Sequence, residues 1–120
     1  MLTRKNLPSS NLQELLLFVL RRRQRVRIVG NSMLPLLKHG DEVFVDGRAY
    51  RAINPAVGDV VVAWHPTKPN FKIIKRVSAV QSDGACFLLG DNPTESSDSR
   101  QFGLVSAENI IGRVTSRFGN

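Results

Sequence analysis

The sequence predicts an antiparallel, mostly β domain with one short helix near its N-terminus. The chain has 120 residues, of which 42% are hydrophobic, and this size suits one domain with one modest core. Turn signals alternate along the chain with short runs rich in valine and isoleucine. Three of these signals are Gly-Asp pairs, at Gly40-Asp41, Gly58-Asp59 and Gly90-Asp91. Short strands joined by tight turns follow from this pattern.

The helix is predicted from the stretch Leu12–Leu20, which is apolar except for two residues. Ser9, Ser10 or Asn11 can cap its start, and we expect it to end near Arg22. The stretch is too short to cross a bilayer, which takes ~20 apolar residues. Three interpretations stay open: a helix packed on its own domain, a docking helix, and a helix lying on a membrane surface.

A basic run follows the helix, and the whole chain has a net charge of +7. Five of the seven residues from Arg21 to Arg27 are arginine. Such a run can bind an acidic propeptide or anionic lipid headgroups, or it can simply face solvent. We expect no nucleic-acid partner, because the chain shows no helix-turn-helix, zinc-finger or aromatic RNA-binding pattern. Any membrane contact is expected to be peripheral and to run through Leu12–Arg27, without a transmembrane helix.

Cys86 is the single cysteine, so the chain can form no internal disulfide. This fits a reducing compartment, and we expect a cytoplasmic protein. Cys86 is interpreted as a small buried hydrophobe beside Phe87 and Leu88. One cysteine and two histidines make a poor metal set, since structural zinc usually takes about four ligands. We therefore expect neither a metal nor a cofactor.

Six strands are predicted after the helix, and Asp83-Gly84 is a good hairpin turn between the fourth and the fifth. Residues 1–24 are expected to form a tail and an amphipathic helix with a basic end, and residues 25–120 the β domain. The strands are expected around Val26 and Ile28, and at Glu42–Val45, Val60–Trp64, Phe71–Val80, Ala85–Leu89 and Ile110–Ser116.

Ser32 lies on a tight turn after the first predicted strand. A catalytic serine needs an exposed hydroxyl with free backbone N–H groups nearby to hold an oxyanion. Gly30-Asn31 ends the strand and Pro35 limits the turn after the serine, which provides this geometry. The alternative is an ordinary helix-cap serine, and this segment taken alone favours the alternative.

Lys75 is the lysine that points among apolar neighbours of the fourth predicted strand. Because alternate residues of a strand face the same side, Lys75 shares a face with Ile73 and Val77, whereas Lys72 points with Arg76 toward water. Burial lowers the pKa of a lysine, and a neutral lysine can act as the general base for a serine. The alternative is a lysine whose stem is buried and whose head reaches water.

A polar loop, 90–103, follows the fifth predicted strand and is dense in small hydrogen-bonding side chains. Asp98 and Arg100 are expected to form an ion pair that holds the loop. Ser96 is placed to exchange a hydrogen bond with the amine of Lys75 and to hold it toward Ser32. Alone, the segment is typical of a surface loop.

Four motifs in this order resemble the type I signal peptidase family of Ser–Lys proteases. The resemblance covers Gly30–Gly103 and implies an antiparallel β-ribbon or barrel-like catalytic domain over residues 25–120. The motifs are Ser32-Met33-Leu34-Pro35, Gly58-Asp59-Val60-Val61, Lys75-Arg76-Val77, and Gly90-Asp91-Asn92 followed by Ser96, Asp98-Ser99-Arg100 and Gly103.

The resemblance implies a role for each matching residue. Ser32 would be the nucleophile, with its backbone N–H as one oxyanion donor, and Lys75 would be the general base. Ser96 would orient the lysine, while Asp98 and Arg100 would be structural. The remaining supporting residues are Met33, which would sit near the active site, and Gly30, Asp91 and Asn92.

Two departures from the family are expected to matter. Gly30 stands where some members carry a serine hydroxyl as the second oxyanion donor, so this oxyanion hole must rely on backbone or water. We also expect neither the transmembrane helix nor the larger β insertion of signal peptidases. This chain is short and has an arginine-rich segment before the serine motif, and in both features it resembles the nickel-type superoxide dismutase maturation proteases.

The main functional prediction is therefore an endopeptidase that removes an N-terminal propeptide, with a nickel-type superoxide dismutase precursor as its protein partner. The alternative is a minimal signal peptidase I-like enzyme at the membrane surface. A third class, the self-cleaving repressors that share Ser–Lys chemistry, is disfavoured. These usually carry a DNA-binding domain and a cleavable Ala-Gly or Cys-Gly bond, and this chain has neither dipeptide.

Overall fold

A computed structural model describes residues 7–20 and 22–118, which form one six-stranded antiparallel sheet with a helix before it. The order of strands across the sheet is β1-β2-β6-β3-β4-β5. The predicted mostly β fold class is confirmed. The elements are α1 (Leu12–Val19), β1 (Gln24–Arg27), β2 (Glu42–Asp46), β3 (Val60–Trp64), β4 (Lys72–Val80), β5 (Cys86–Leu89), α2 (Ser99–Phe102) and β6 (Ile110–Phe118).

The strands lie close to their predicted positions. The β4–β5 hairpin turns at Asp83-Gly84 as predicted, where Gly84 has φ +87 and the N–H of Gln81 donates to the carbonyl of Ala85 at 2.9 Å. The first strand ends earlier than expected. Ile28 lies beyond β1 and is buried, and its N–H donates to the carbonyl of Asp41 at 2.7 Å. This hydrogen bond between Ile28 and Asp41 holds the segment that leads from β1 to the serine turn.

The central strand β3 has apolar contacts on both faces of the sheet. Because successive side chains of a strand point to opposite faces, Val62 enters one hydrophobic cluster and Val61 enters another. Met33, 1% exposed, belongs to the first cluster, so the residue next to Ser32 anchors the serine turn in the core. Cys86 is fully buried in the second cluster, which confirms its interpretation as a small hydrophobe.

The helix α1 contacts the sheet with one face only. The side chain of Asn11 caps it by accepting the N–H of Glu14 at 2.9 Å, and it ends at Val19, one turn before the predicted end. The ring of Phe18 stacks on the ring of Phe44, with centroids 5.3 Å apart. Within residues 7–20 and 22–118, no helix has the length and hydropathy needed to span a membrane.

The division into residues 1–24 and 25–120 stays a prediction. Residues 1–6 of the predicted tail, and Arg21 of the basic run, lie outside the described residues.

Candidate active site

The two residues predicted to carry the chemistry meet directly. The amine of Lys75, on β4, donates a hydrogen bond to the hydroxyl of Ser32 at 2.8 Å. Ser32 lies on the turn that follows β1, 43 residues earlier in the chain, and its side chain is half-buried. The fold thus places a hydroxyl beside the amine that could remove its proton.

Lys75 is held in a largely apolar position. It is 6% exposed, and its register partner on the neighbouring strand is the fully buried Val61. Burial lowers the pKa of Lys75, and the carboxylate of Asp98 acts in the opposite direction with a smaller effect. The net effect favours the neutral amine, which is the form that can accept a proton.

Arg76 does not point toward water, and the sequence-based expectation for it is wrong. It is 9% exposed, and its Nε and Nη2 atoms each donate at 2.9 Å to an oxygen of the Asp91 carboxylate. Its Nη1 donates to the carbonyl of Gly58 at 2.9 Å. Because β4 is covered on both faces from Ile73 to Val77, alternate side chains in this part of the strand point to two buried sides. The Arg76–Asp91 pair ties β4 to the start of the polar loop.

Asn92 fastens the polar loop to the serine turn. Its backbone N–H donates to the carbonyl of Ser32 at 2.8 Å, and its side-chain amide donates to the carbonyl of Asn31 at 3.0 Å. The loop therefore sets the position of the Ser32 backbone. Asn92 is one of the predicted supporting residues, and these two hydrogen bonds show that it holds the serine turn against the loop.

Asp98 is the centre of the loop's hydrogen bonding and is fully buried. Its carboxylate accepts from Nε and Nη2 of Arg100, both at 2.9 Å, and from the N–H of Gly90 at 3.0 Å. Burial raises the pKa of Asp98, but these hydrogen bonds, with one from Ser96, outweigh it and hold the pKa well below its usual range. The predicted Asp98–Arg100 ion pair is present. Asp98 also forms a capping box with Gln101 that starts α2.

Ser96 makes a different contact from the one expected. Its hydroxyl donates to Asp98 at 2.8 Å, and among the described residues it makes no hydrogen bond to the amine of Lys75. Asp98 is the better acceptor because its carboxylate is charged and lies only two residues away. Ser96 is thus connected to Lys75 through Asp98, whose charge acts on the lysine pKa.

His39 was missed by the sequence reasoning and lies against the serine turn. Its Nδ1 accepts the backbone N–H of Gly30 at 2.9 Å, so this ring atom carries no proton. Gly30 has φ +85, a conformation that favours glycine. With its N–H engaged by His39, Gly30 has no backbone donor left to act as the second oxyanion donor. A lone histidine in a turn gave no signal for this contact.

A cleft of about 590 Å³ opens beside Ser32 and Lys75, between residues 26–32 and 71–75. The part of β4 that borders it pairs with β3 on one side, and pairing with β5 begins only at Arg76. Within the described residues, the other side of 72–75 has no strand partner. Unpaired backbone groups therefore face the cleft next to the Ser32 hydroxyl.

The model of the family "signal peptidase, peptidase S26" matches residues 14–83 and 80–118 of the chain. The chain belongs to this family. It is 31% identical to a mitochondrial inner membrane protease subunit 1 from Xenopus tropicalis, over 73% of this chain and 64% of the relative. It is 28% identical to a probable signal peptidase I-1 from Synechocystis, over 76% of this chain and 68% of the relative. An Arabidopsis thaliana mitochondrial ATP-independent inner membrane protease subunit 1b is 34% identical, over 71% of this chain and 63% of the relative. The chain thus spans somewhat less than two thirds of the frog and plant proteins.

Proposed function

We propose that this chain is a signal peptidase I-like serine endopeptidase that cleaves a protein substrate with Ser32 as the nucleophile and Lys75 as the general base. The observation that carries the proposal is the 2.8 Å contact between the Ser32 hydroxyl and the Lys75 amine, whose pKa is lowered by burial. Membership of the signal peptidase family supports the same chemistry.

The reaction proceeds through an ester. Neutral Lys75 accepts the proton of Ser32 as Oγ attacks the carbonyl carbon of the scissile bond, and the Ser32 backbone N–H stabilises the oxyanion. The tetrahedral intermediate collapses, the C–N bond breaks, and the leaving amine takes the proton from the lysine ammonium. Lys75 then accepts a proton from the water that attacks the ester, and it returns this proton to Ser32 Oγ as the ester C–O bond breaks, which releases the acid product and the free serine.

An extended peptide is the substrate form that suits the cleft. The open side of 72–75 offers backbone hydrogen-bonding groups beside the nucleophile. A peptide that adds to such an edge is held by main-chain hydrogen bonds, with alternate side chains directed to pockets. This mode of binding selects an unfolded segment of a protein, such as a leader peptide.

The sequence analysis predicts two candidate substrates, a precursor with a signal peptide and a nickel-type superoxide dismutase precursor. The relatives named above are signal peptidases and inner membrane proteases, and they favour the signal peptidase function. They give no support to maturation of a nickel-type superoxide dismutase, which stays a prediction.

The test is cleavage of two purified precursors, one with a signal peptide and one a nickel-type superoxide dismutase, followed by mass spectrometry of the new N-terminus. We expect a single cut in the first, lost in Ser32→Ala and kept in Ser78→Ala, which removes an exposed serine on the same strand as Lys75. A cut confined to the dismutase precursor would reverse the choice of substrate. Cleavage that persists in Ser32→Ala would refute the proposal.

We further propose that the enzyme works at a membrane surface through α1. The side chains of Leu12, Leu16, Val19 and Leu20 are 55% to 80% exposed and recur at the three- and four-residue spacing of one helix face. The basic run contributes less charge than its sequence indicates. Arg23 pairs with Glu14 and Asp46, and Arg25 pairs with Glu42, whereas Arg22 is exposed and Arg27 lies 3.8 Å from Glu42 with its side chain 70% exposed.

Co-sedimentation with vesicles tests this contact. We expect binding to vesicles that contain anionic lipid and weaker binding to purely zwitterionic vesicles. The double variant Leu16→Ser/Val19→Ser should lose binding, and Val57→Ser, which changes an exposed valine before β3, should keep it. Equal binding by all three proteins would contradict a role for α1.

A further inference from the structure

The cleft beside Ser32 carries an excess of positive charge. Arg27 lies on the wall that leads to the serine, Lys72 lies on the β4 wall, and Lys68 lies in the turn before β4. Glu95 is the one acidic residue among those that line the cleft. Its carboxylate accepts a hydrogen bond from the side chain of Asn92 at 3.0 Å. Lys75 is not counted among these positive charges, because its proposed role is that of a neutral base.

Lys68 and Lys72 face aromatic rings, and neither has a carboxylate partner among the residues that the structure describes. The amine of Lys72 lies 5.3 Å from the centre of the Trp64 ring, and the amine of Lys68 lies 5.4 Å from that of the Phe71 ring. Such contacts orient a cation without neutralising it. Within residues 7–20 and 22–118, neither lysine forms a salt bridge.

Arg27 is also only weakly neutralised. Its guanidinium lies 3.8 Å from Glu42, a carboxylate that Arg25 contacts more closely, and its side chain is 70% exposed. The positive groups therefore come from both walls of the cleft. A peptide that lies in the cleft would therefore have positive groups on both sides.

We propose that this cleft selects substrates with an acidic side chain in the segment that lies along it. The inference rests on the proposed function and adds a substrate class to it. A carboxylate placed between the walls gains attraction from Arg27, Lys68 or Lys72, whereas a substrate lysine at the same position is repelled. Because these cations are exposed, each pairing is worth only a modest factor.

Peptide cleavage tests the preference. A fluorogenic peptide with a signal-peptide cleavage sequence is made with Asp, Asn or Lys at each position around the scissile bond in turn. At one or more positions we expect kcat/KM for Asp to exceed that for Lys by about threefold to fivefold, with Asn between them. The ratio should shrink between 0.1 M and 1 M salt, where the Debye length falls from about 10 Å to about 3 Å.

A charge-reversal pair assigns the effect to the cleft. Lys72→Glu should abolish the preference for the Asp peptide over the Lys peptide, because Arg27 and Lys68 then face two acidic residues. Lys38→Glu makes the same charge change at an exposed lysine outside the cleft lining and should leave the order unchanged. Equal effects of the two variants, or no Asp preference at any position, would overturn the inference. The proposed function fails separately, if no peptide shows Ser32-dependent cleavage.

Binding gives a readout that does not depend on turnover. Trp64 is the single tryptophan and lies beneath the Lys72 amine. In Ser32→Ala, a bound Asp peptide that draws Lys72 away should change the Trp64 fluorescence, and it should bind more tightly than the Lys peptide by a similar factor. Equal affinities for the two peptides would also overturn the inference.

Discussion

Gly90 lies so close to Ser96 that a Cβ atom on Gly90 would fall 2.1 Å from the Ser96 hydroxyl oxygen. The same atom would fall 2.7 Å from the carbonyl oxygen of Ser32. The loop that carries Asp98 and the turn that carries Ser32 thus meet at Gly90, a position without a side chain. This contact explains why a glycine is needed there.

Gly90→Ala is predicted to impair catalysis more than folding. The added methyl group must push the Ser32 turn and the polar loop apart, and a displacement of about 1 Å at a catalytic group can lower the rate on the order of 100-fold. The measurement is kcat/KM with a cleavable precursor, with circular dichroism as the check on folding. Gly47→Ala is the matched control, since the nearest atom to its added Cβ is 3.8 Å away. Unchanged activity in Gly90→Ala would show that the loop can move without affecting Ser32.

Asp91→Ala is predicted to lower the free energy of unfolding by about 3–5 kcal/mol. The reason is that it removes the carboxylate that pairs with the buried guanidinium of Arg76. Urea unfolding measures the loss. The double variant Arg76→Met/Asp91→Leu should recover much of it, since it removes both charges together. A double variant as unstable as the single one would indicate that the pair's hydrogen bonds, and not its charges, stabilise the loop.

Activity is predicted to rise with pH. Lys75 must be neutral to accept the proton of Ser32, and burial lowers its pKa from the ordinary value of 10.5. The rate should therefore be low where the amine is protonated, climb as pH approaches the lowered pKa, and level off above it. The measurement is kcat/KM across mild acid to alkali, with thermal stability recorded at each pH so that unfolding is not mistaken for titration. A flat profile would argue against a lysine base.

His39→Ala is predicted to lower kcat by about fivefold, with KM little changed, because the serine turn loses a contact that positions Ser32. The side chain is exposed, so the free energy of unfolding should change by no more than about 0.5 kcal/mol. His39→Asn offers an amide oxygen that can accept the Gly30 N–H in place of Nδ1, and it should restore the rate. Equal losses in the two variants would show that the hydrogen bond does not position the serine turn.

Much of the fold was predictable because its signals are local. β3 begins and ends at the predicted residues, and the hairpin at Asp83-Gly84 forms as expected, since turn residues and short apolar runs specify strands without distant contacts. The proximity of Ser32 and Lys75 was predicted from the ordered motifs, together with the alternation that turns Lys75 toward apolar neighbours.

The alternation of residues also produced the main error. It separates the two faces of a strand, but it does not say which of them meets water. Arg76 was assigned to solvent, yet β4 is covered on both faces around this residue, and the guanidinium binds Asp91, 15 residues further along the chain. A buried cation of this kind depends on a partner that another segment supplies.

By itself, the sequence determined the fold class, the strands and the identity of the serine–lysine pair, because periodicity, turn chemistry and ordered motifs are properties of neighbouring residues. Only the tertiary structure decided which polar groups meet: Asp98 as the acceptor for Ser96, His39 as the acceptor for Gly30, and a side of β4 without a strand partner beside Ser32. The physical reason is that a hydrogen bond requires its two atoms to lie about 3 Å apart at a suitable angle. That condition is met or missed only when segments far apart in the chain are brought together.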